Sequence, residues 1–446
     1  MLDSELFARL PEAFWELQRG FAELPAWDPS VPGAAGMPKV LGELSLRLAD
    51  NYPYFHPLYA GQMLKPPHPL ARMAYTLAMW INPNNHALDG GRATSRMEKE
   101  AVAEIAAMLG FATHLGHLAS GGTMANLEAL WVAGLLHPGK RILASSQAHY
   151  THQRITGVLR LPFAEVACDS RGRMDPDALE SMLRRGDVGC VVATAGSTAA
   201  GAVDPLAEIL PLRRRYPFRL HVDAAYGGYF TLARNLGPEA RAALDLLGEA
   251  DSVVVDPHKH GLQPYGCGAV LFRDPEVGTL YRHDSPYTYF TSRELHLGEI
   301  SLECSRPGAA AAALWATQRL LPLTPGGEFA QGLEACRRAA LNLYAKLRDD
   351  PAVLTPFEPQ LDIVVWAPRA ASTTEVSLRS QEIFQRAAGH GLHLAVAHLP
   401  TAFFSRKYPE LRVDGERMAC LRSVLMKPEH EGWVERIWEI LRESAA

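Results

Sequence analysis

The sequence predicts an α/β protein that has a large domain, built on a mostly parallel sheet, and a small α+β domain after it. Between about residues 95 and 275, short apolar runs alternate with stretches of helical periodicity. Such alternation is typical of a parallel sheet covered by helices. Two long helical stretches, three further apolar runs and a terminal helical stretch follow, which indicates the smaller unit. We therefore predict an arm at 1–67, a large domain at 68–320 and a small C-terminal domain at 321–446.

Composition narrows the class of protein. The chain has 446 residues, 48% of them hydrophobic and 21% charged, so it can bury a large core and is not disordered over most of its length. Lys and Arg total 44 against 49 Asp and Glu, which argues against binding to nucleic acid or anionic lipid. We expect no membrane-spanning helix and no secretory leader. The six scattered cysteines favour a reduced, cytoplasmic protein.

The arm combines one helical pattern with many breaks. Leu6, Leu10, Phe14 and Leu17 recur at the spacing of one helix face. Prolines and glycines then predict irregular structure up to about residue 65. Such a segment has no core of its own, and it can pack either on the main body of its own chain or on a partner subunit.

In the large domain, each element follows from its pattern. The predicted strands are HLGHLAS (114–120), RILASS (141–146), GCVVATAG (189–196), FRLHVDAAYG (218–227), DSVVVD (251–256) and GCGAVLF (266–272). The predicted helices are SRMEKEAVAEIAAMLG (95–110), MANLEALWVAGLL (124–136), DPDALESMLRRG (175–186) and PLAEILPLRRRY (205–216). Ligands of such sheets bind at the carboxyl ends of the strands, and the unusual residues of this chain fall there.

Two motifs at predicted strand ends indicate a charged ligand. In SGGTMANLEAL (120–130), two glycines precede a helix, so free backbone N–H groups can bind a phosphate. An ordinary turn with a helix cap fits the same letters. In HVDAAYGG (221–228), Asp223 ends an apolar strand, where it can pair with a cationic ring nitrogen, bind a metal or cap the next loop.

Two further motifs complete the set. Lys259, in DPHKHGLQPYGCG (256–268), can form a Schiff base if it is partly desolvated, although most lysines face solvent. His149 can stack on a planar ligand or transfer a proton. Its spacing to His152 suggests zinc, but no third ligand and no HExxH motif follow, so we expect no metal. A phosphate cradle, a histidine, an acid and a lysine in this order are what pyridoxal phosphate needs.

These motifs carry a family resemblance. From about residue 68 to the C-terminus the chain resembles the group II pyridoxal-phosphate-dependent amino-acid decarboxylases, which include glutamate, aromatic-amino-acid and tyrosine decarboxylases. The resemblance lies in SGGTMANLEAL, AHYTHQRITGVL, ATAGSTAAGAVDP, HVDAAYGG, DPHKHGLQPYGCG and ECSRPGAAAAALW, in family order. It implies the aspartate-aminotransferase-like fold, that is, fold type I of the enzymes that use pyridoxal phosphate.

The resemblance also implies the roles of individual residues. Lys259 would form the Schiff base, Asp223 would pair with the pyridinium nitrogen and His149 would stack on the ring. The other cofactor-binding candidates are Gly121, Gly122 and Thr123 around the phosphate, His258 near it, and Thr194 and Ala225 close to the ring.

Four more residues are candidates for work on the substrate. Tyr287 or Tyr289 would return a proton to the substrate carbon, although both can equally be packing aromatics at a dimer contact. Arg422 would bind the substrate carboxylate, the alternative being a surface salt bridge. His86 is a candidate for the substrate pocket.

The sequence therefore predicts a homodimeric decarboxylase that makes an amine from an aromatic or acidic L-amino acid. Two alternatives stay open at this point. The same cofactor chemistry supports a carbon–carbon lyase or an aldehyde-forming enzyme. A further hypothesis is that the protein is a non-catalytic relative that binds the cofactor or a partner. The presence of Lys259, Asp223 and His149 argues against this hypothesis.

Overall fold

The large domain is organised around a seven-stranded sheet. A computed structural model describes residues 7–27, 30–282 and 296–445. The strand order is β1-β7-β6-β5-β4-β2-β3, and β7 alone runs antiparallel to its neighbours β1 and β6. The strands are β1 (Leu115–Ala119), β2 (Arg141–Ser145), β3 (Phe163–Val166), β4 (Val188–Thr194), β5 (Arg219–Asp223), β6 (Ser252–Val255) and β7 (Gly268–Phe272). The predicted mostly parallel sheet is confirmed, and each of the six predicted apolar runs contains a strand.

Helices cover the sheet and precede it. They are α1 (Arg9–Arg19), α2 (Met37–Leu48), α3 (Pro69–Met79), α4 (Arg92–Met108), α5 (Gly122–Leu136), α6 (Thr151–Val158), α7 (Pro176–Leu183), α8 (Leu206–Leu212), α9 (Pro238–Leu244) and α10 (Gly308–Leu320). Capping residues and prolines determine where several of these helices begin. Asp175, for example, caps α7 by accepting hydrogen bonds from the backbone N–H groups of Asp177 and Ala178, and Pro176 occupies the first turn.

The C-terminal part forms a second, antiparallel sheet with its own helices. Its strand order is β10-β11-β9-β8. The elements are α11 (Glu328–Asp349), β8 (Val353–Leu354), β9 (Ile363–Pro368), α12 (Thr373–Gly389), β10 (Ala395–Pro400), α13 (Ala402–Ser405), β11 (Arg417–Val424) and α14 (His430–Ala445). The domain limits 1–67, 68–320 and 321–446 stay a prediction.

The arm is more regular than its sequence predicted. α2 lies within the stretch that we expected to be irregular. Pro38 falls in the first turn of this helix, where a proline costs nothing because the N–H it lacks has no partner there. The end of the arm joins the small domain: Ala60 N donates to His393 O at 2.8 Å, and Val424 N donates to Ala60 O at 2.8 Å.

The core positions the strand ends rigidly. All seven residues of β4 are buried, and the central strands are dominated by valine and leucine, which suit strands covered on both faces. In register, Thr194 of β4 lies beside Asp223 of β5. Two polar side chains therefore meet at the carboxyl edge of an apolar sheet.

Candidate active site

A cavity of about 310 Å³ opens at the carboxyl edge of the large sheet. Nine of the predicted site residues line it: Gly121, Gly122, Thr123, His149, Thr194, Asp223, Ala225, His258 and Lys259. They come from five separate stretches of the chain, so the topology of the sheet is what brings them together.

Gly121 and Gly122 lie at the start of α5 and form a candidate anion cradle. No described side chain caps this helix, so its first backbone N–H groups are available to a ligand. A Cβ at Gly122 would lie 2.8 Å from Asp256 Oδ2, and one at Gly121 would lie 3.3 Å from the His258 ring. Close packing against Asp256 thus explains why a glycine stands at position 122, and the His258 ring lies beside Gly121.

Asp223 is held by two partners. His152 Nε2 lies 2.9 Å from Asp223 Oδ2, and Ala225 N donates to Asp223 Oδ1 at 3.1 Å. Burial alone would raise the pKa of Asp223, but the hydrogen bond and the electrostatic interaction with His152, and then Lys259, outweigh it and hold the pKa well below its usual value. Asp223 therefore presents a carboxylate, not a carboxylic acid, to the cavity at neutral pH.

Lys259 follows β6 in the chain and lines the same cavity. Its Nζ lies 3.0 Å from Asp256 Oδ2, and its side chain is 21% exposed. Asp256 is almost fully buried, so this carboxylate anchors the amine inside the cavity and away from bulk solvent.

The two histidines at the cavity are neutral bases. Burial lowers the pKa of His149 and of His258, which leaves both imidazoles uncharged near pH 7. His149 Nδ1 lies 2.8 Å from Thr151 Oγ1, an interaction that fixes the ring. Thr194 Oγ1 is buried and has no hydrogen-bond partner among the described residues. An unsatisfied hydroxyl at the cavity is typical of a ligand site.

Two predicted substrate residues do not line the cavity. Arg422 is buried behind its wall, where one guanidinium nitrogen donates to Thr198 O at 2.6 Å and the other to Gln62 Oε1 at 2.8 Å. His86 is buried beside Cys304, with Nε2 4.0 Å from Cys304 Sγ. Their proposed contact with substrate stays a prediction.

The proton-donor candidates cannot be placed. Tyr287 and Tyr289 both lie outside the described residues, so their role also stays a prediction. Within the described ranges no three His, Cys, Asp or Glu side chains are grouped so that they could hold a metal ion.

Sequence reasoning missed three polar residues of the site. His152 was weighed only as a zinc ligand, and its pairing with Asp223 was not anticipated. Asp256 was not identified as the partner of Lys259. Asn126, the fifth residue of α5, lines the cavity, and its Oδ1 lies 2.7 Å from His221 Nε2. The HxxH spacing was the signal for His152, because it places that side chain one helical turn beyond His149.

Comparison with known proteins identifies the family. The model of the pyridoxal-dependent decarboxylase conserved domain matches residues 136–368, which is more than half of the chain. This protein belongs to the pyridoxal-dependent decarboxylase family. The predicted family is thereby confirmed, and the cofactor of the family is pyridoxal phosphate.

Relatives in the family include enzymes for different substrates. The chain is 30% identical over 392 residues to L-tyrosine decarboxylase of Levilactobacillus brevis, covering 65% of this chain and 63% of the relative. It is 29% identical over 332 residues to a probable L-tyrosine/L-aspartate decarboxylase of Methanothermobacter thermautotrophicus, covering 72% of this chain and 86% of the relative. The chain thus spans less than two thirds of the length of the bacterial tyrosine decarboxylase.

Solved structures of this family share the fold. The structure of Oryza sativa TDC with PLP and tryptamine matches with a TM-score of 0.78 at 20% identity, over 95% of this chain and 90% of that one. Mouse CSAD matches with a TM-score of 0.78 at 19% identity, over 96% and 91%. Fold type I is therefore confirmed.

The cavity of this chain fits the family's cofactor. The uncapped start of α5 suits a phosphate, the ionised Asp223 suits a protonated ring nitrogen, and Lys259 supplies an amine. The unsatisfied Thr194 hydroxyl adds a donor at the end of β4, beside Asp223.

Proposed function

We propose that this protein decarboxylates an L-amino acid, aromatic or acidic, to the corresponding amine and carbon dioxide. The observation that carries the proposal is that Lys259, the ionised Asp223 and the uncapped start of α5 all face one cavity. In the proposed arrangement, Gly121, Gly122 and Thr123 hold the phosphate. Lys259 binds the cofactor aldehyde.

Each residue of the cavity has a separate proposed role in the reaction. Bound pyridoxal phosphate supplies an electron sink for the pair of electrons left when the bond to the carboxylate breaks. Asp223 keeps a proton on the ring nitrogen, because an ionised carboxylate stabilises the cation beside it. His149, uncharged and half-buried, would cover a face of the cofactor ring, and Lys259 would hold the cofactor through its aldehyde. Tyr287 or Tyr289 is proposed to return the proton.

A pooled assay tests the reaction. The holoenzyme is incubated with the common L-amino acids, and mass spectrometry follows every substrate and product. An amine formed with loss of carbon dioxide supports the proposal and names the substrate. An aldehyde or a cleaved side chain would replace it with the lyase or aldehyde-forming alternative, which no contact of the described residues favours.

We further propose that His152 positions Asp223. The His152 ring is fully buried, and its Nε2 lies 2.9 Å from Asp223 Oδ2. With Ala225 N on the other oxygen, the carboxylate has a donor on each side, so it cannot rotate freely. A buried, charge-assisted hydrogen bond of this kind is worth about 1.5–3 kcal/mol.

His152→Leu should weaken cofactor binding about tenfold, the equivalent of roughly 1.4 kcal/mol. It should also move the acid limit of cofactor binding to higher pH. The low pKa of Asp223 keeps its carboxylate ionised until the pH falls through that low value. Loss of the hydrogen bond raises this pKa, so the carboxylate is protonated, and the cofactor is lost, at a higher pH. Equilibrium dialysis of the cofactor as a function of pH measures both effects.

The conservative variant His152→Gln is the control, because its amide can still donate to Asp223. It should retain most of the cofactor affinity. Equal losses in the Leu and Gln variants, with no shift of the acid limit, would show that His152 merely fills space.

We also propose that the protein is a homodimer in which the arm packs on the partner subunit. Val40, Leu41, Leu44 and Leu48 form one apolar stripe along α2, and their exposed fractions lie between 48% and 61%. An apolar stripe left open to water is a cost that a protein contact removes. The stripe therefore supports a contact beyond this chain.

The double variant Val40→Glu/Leu44→Glu should shift the assembly from dimer to monomer in size-exclusion chromatography with light scattering. Two charges would have to be buried at the contact, which costs several kcal/mol. Leu378→Glu is a matched control, because Leu378 is an equally exposed leucine, at 57%, on a helix of the small domain. A wild-type protein that elutes as a monomer would contradict the proposal.

A reducing location is proposed from the cysteines. All six are unpaired, and four of them are buried. Among the described residues, every helix is too short or too polar to cross a bilayer. We propose that the protein works in the cytoplasm, which cell fractionation would test.

A further inference from the structure

A second cavity, of about 450 Å³, lies beside the segment that follows Lys259. His260, the residue after Lys259, lines it. The rest of its wall combines the end of the arm, around Lys65, with the first turns of α11 and the segment 427–429. The cavity is thus formed where the arm, the large domain and the small domain meet.

Two lysines at this cavity have no acidic partner within ion-pair distance among the described residues. Lys427 is only 3% exposed, and its Nζ donates to Tyr59 O at 2.6 Å and lies 5.3 Å from the centre of the Tyr59 ring. Lys65 Nζ donates to Met426 O at 3.3 Å. No carboxylate of the described residues lies within 4.0 Å of either ammonium group. Each ammonium has three N–H donors, so donors remain for a ligand.

A buried acid, Asp362, contacts one residue of each cavity. Asp362 Oδ1 accepts a hydrogen bond from Tyr226 at 2.7 Å, and Asp362 Oδ2 lies 3.2 Å from His260 Nε2. Asp362 forms no ion pair within 4.0 Å with Lys65 or Lys427, although it acts on Lys65 from a distance.

Positive charge at this place is costly without an anion. Burial, and then repulsion from Lys65, lowers the pKa of Lys427 to about 7, and burial lowers the pKa of Lys65 as well. Ammonium groups in such surroundings are stabilised by an anion that accepts their remaining hydrogen bonds.

We propose that this cavity binds a small oxyanion, a carboxylate or a phosphate, whose oxygens accept hydrogen bonds from Lys65 and Lys427. Arg72 adds a third cation to the wall, while Glu328 and Glu429 limit the negative charge that the cavity tolerates. A compact anion with one or two charges fits this balance, whereas a nucleotide or a longer polyanion does not.

The cavity is connected to the candidate active site. Tyr226 lines the first cavity and His260 lines the second, and both contact Asp362 between them. The Tyr226 and His260 rings also pack edge to face, 4.7 Å apart. An anion beside His260 would therefore change the electrostatic environment of the cofactor site through a short, buried path. Binding itself does not depend on the proposed decarboxylase activity.

Calorimetric titration of the holoenzyme with inorganic phosphate, and separately with acetate, tests the site. Bound cofactor fills the cradle at α5, so free phosphate cannot bind there. We expect saturable binding of one anion per chain in a chloride buffer, weakened at least tenfold by Lys427→Met and by Lys65→Met. Near pH 7.5, binding should also take up protons, so the measured heat should vary with the ionisation heat of the buffer.

Lys407→Met is the matched control. Lys407 also donates to a backbone carbonyl, Thr355 O at 2.7 Å, and lies 5.5 Å from a tyrosine ring, but it is away from this cavity. The Lys407→Met variant should leave the affinity for the anion unchanged.

Binding of both phosphate and acetate identifies a general oxyanion site, and binding of one alone identifies the class of anion. Absence of saturable binding by wild type, or equal weakening by Lys407→Met, would overturn the proposal. If Lys427→Met does not fold, Lys65→Met decides.

Discussion

Lys259→Ala should abolish the visible absorbance of the bound cofactor and lower amino-acid turnover by roughly 10³-fold or more. The reason is covalent chemistry. The amine of Lys259 lies in the cavity, 3.0 Å from Asp256, and alanine leaves no group that can bond to the cofactor aldehyde. The absorbance spectrum of the dialysed protein and a turnover assay measure the two losses.

Lys259→Arg separates charge from covalent chemistry. Arginine keeps a cation beside Asp256, but its guanidinium stays protonated and does not attack an aldehyde. Both variants should therefore lose the absorbance band, while the arginine variant should lose less thermal stability. A band that survives dialysis in either variant would assign the covalent bond to another lysine.

The fold could be predicted where the pattern is long and buried. The central strands are uninterrupted apolar runs because helices cover both faces of the sheet, and such runs are easily recognised. β3 was not predicted, because it is a short edge strand that carries the exposed Glu165. α2 escaped because Pro38 and the glycines near it suggested a loop. In both cases the local pattern was weak. β3 is fixed by its pairing with β2, whereas no residue of α2 is buried.

The site could be predicted where each role belongs to a strand end. Asp223, Thr194 and Lys259 end or follow central strands, so parallel packing alone brings them to one edge. The pairing of His152 with Asp223 spans 71 positions of sequence and depends on how α6 packs on β5, which no local pattern contains. The position of Arg422 depends in the same way on how the small domain and the arm meet.

Asp223→Asn should lower turnover by roughly 10²–10³-fold, the usual effect of removing a charged group that stabilises a developing charge. An amide has the same shape as the carboxylate but carries no negative charge, so the protonated ring nitrogen loses its partner. Because the pKa of Asp223 is held well below its usual value, the carboxylate is ionised throughout the working range. The ratio of wild-type to variant turnover should therefore stay constant from about pH 5 to about pH 9.

Asp204→Asn provides the comparison. Asp204 is also a buried acid behind this strand edge, and it accepts hydrogen bonds from Met174 N at 2.6 Å and Thr194 N at 2.7 Å. Burial raises its pKa to about 7, so its charge is a weak contributor near neutral pH. Its loss should affect stability more than turnover. If Asp223→Asn instead gave a ratio that fell toward one below about pH 7, Asp223 would be titrating in that range. The structural argument for a permanent carboxylate, and for His152 as the group that maintains it, would then be wrong.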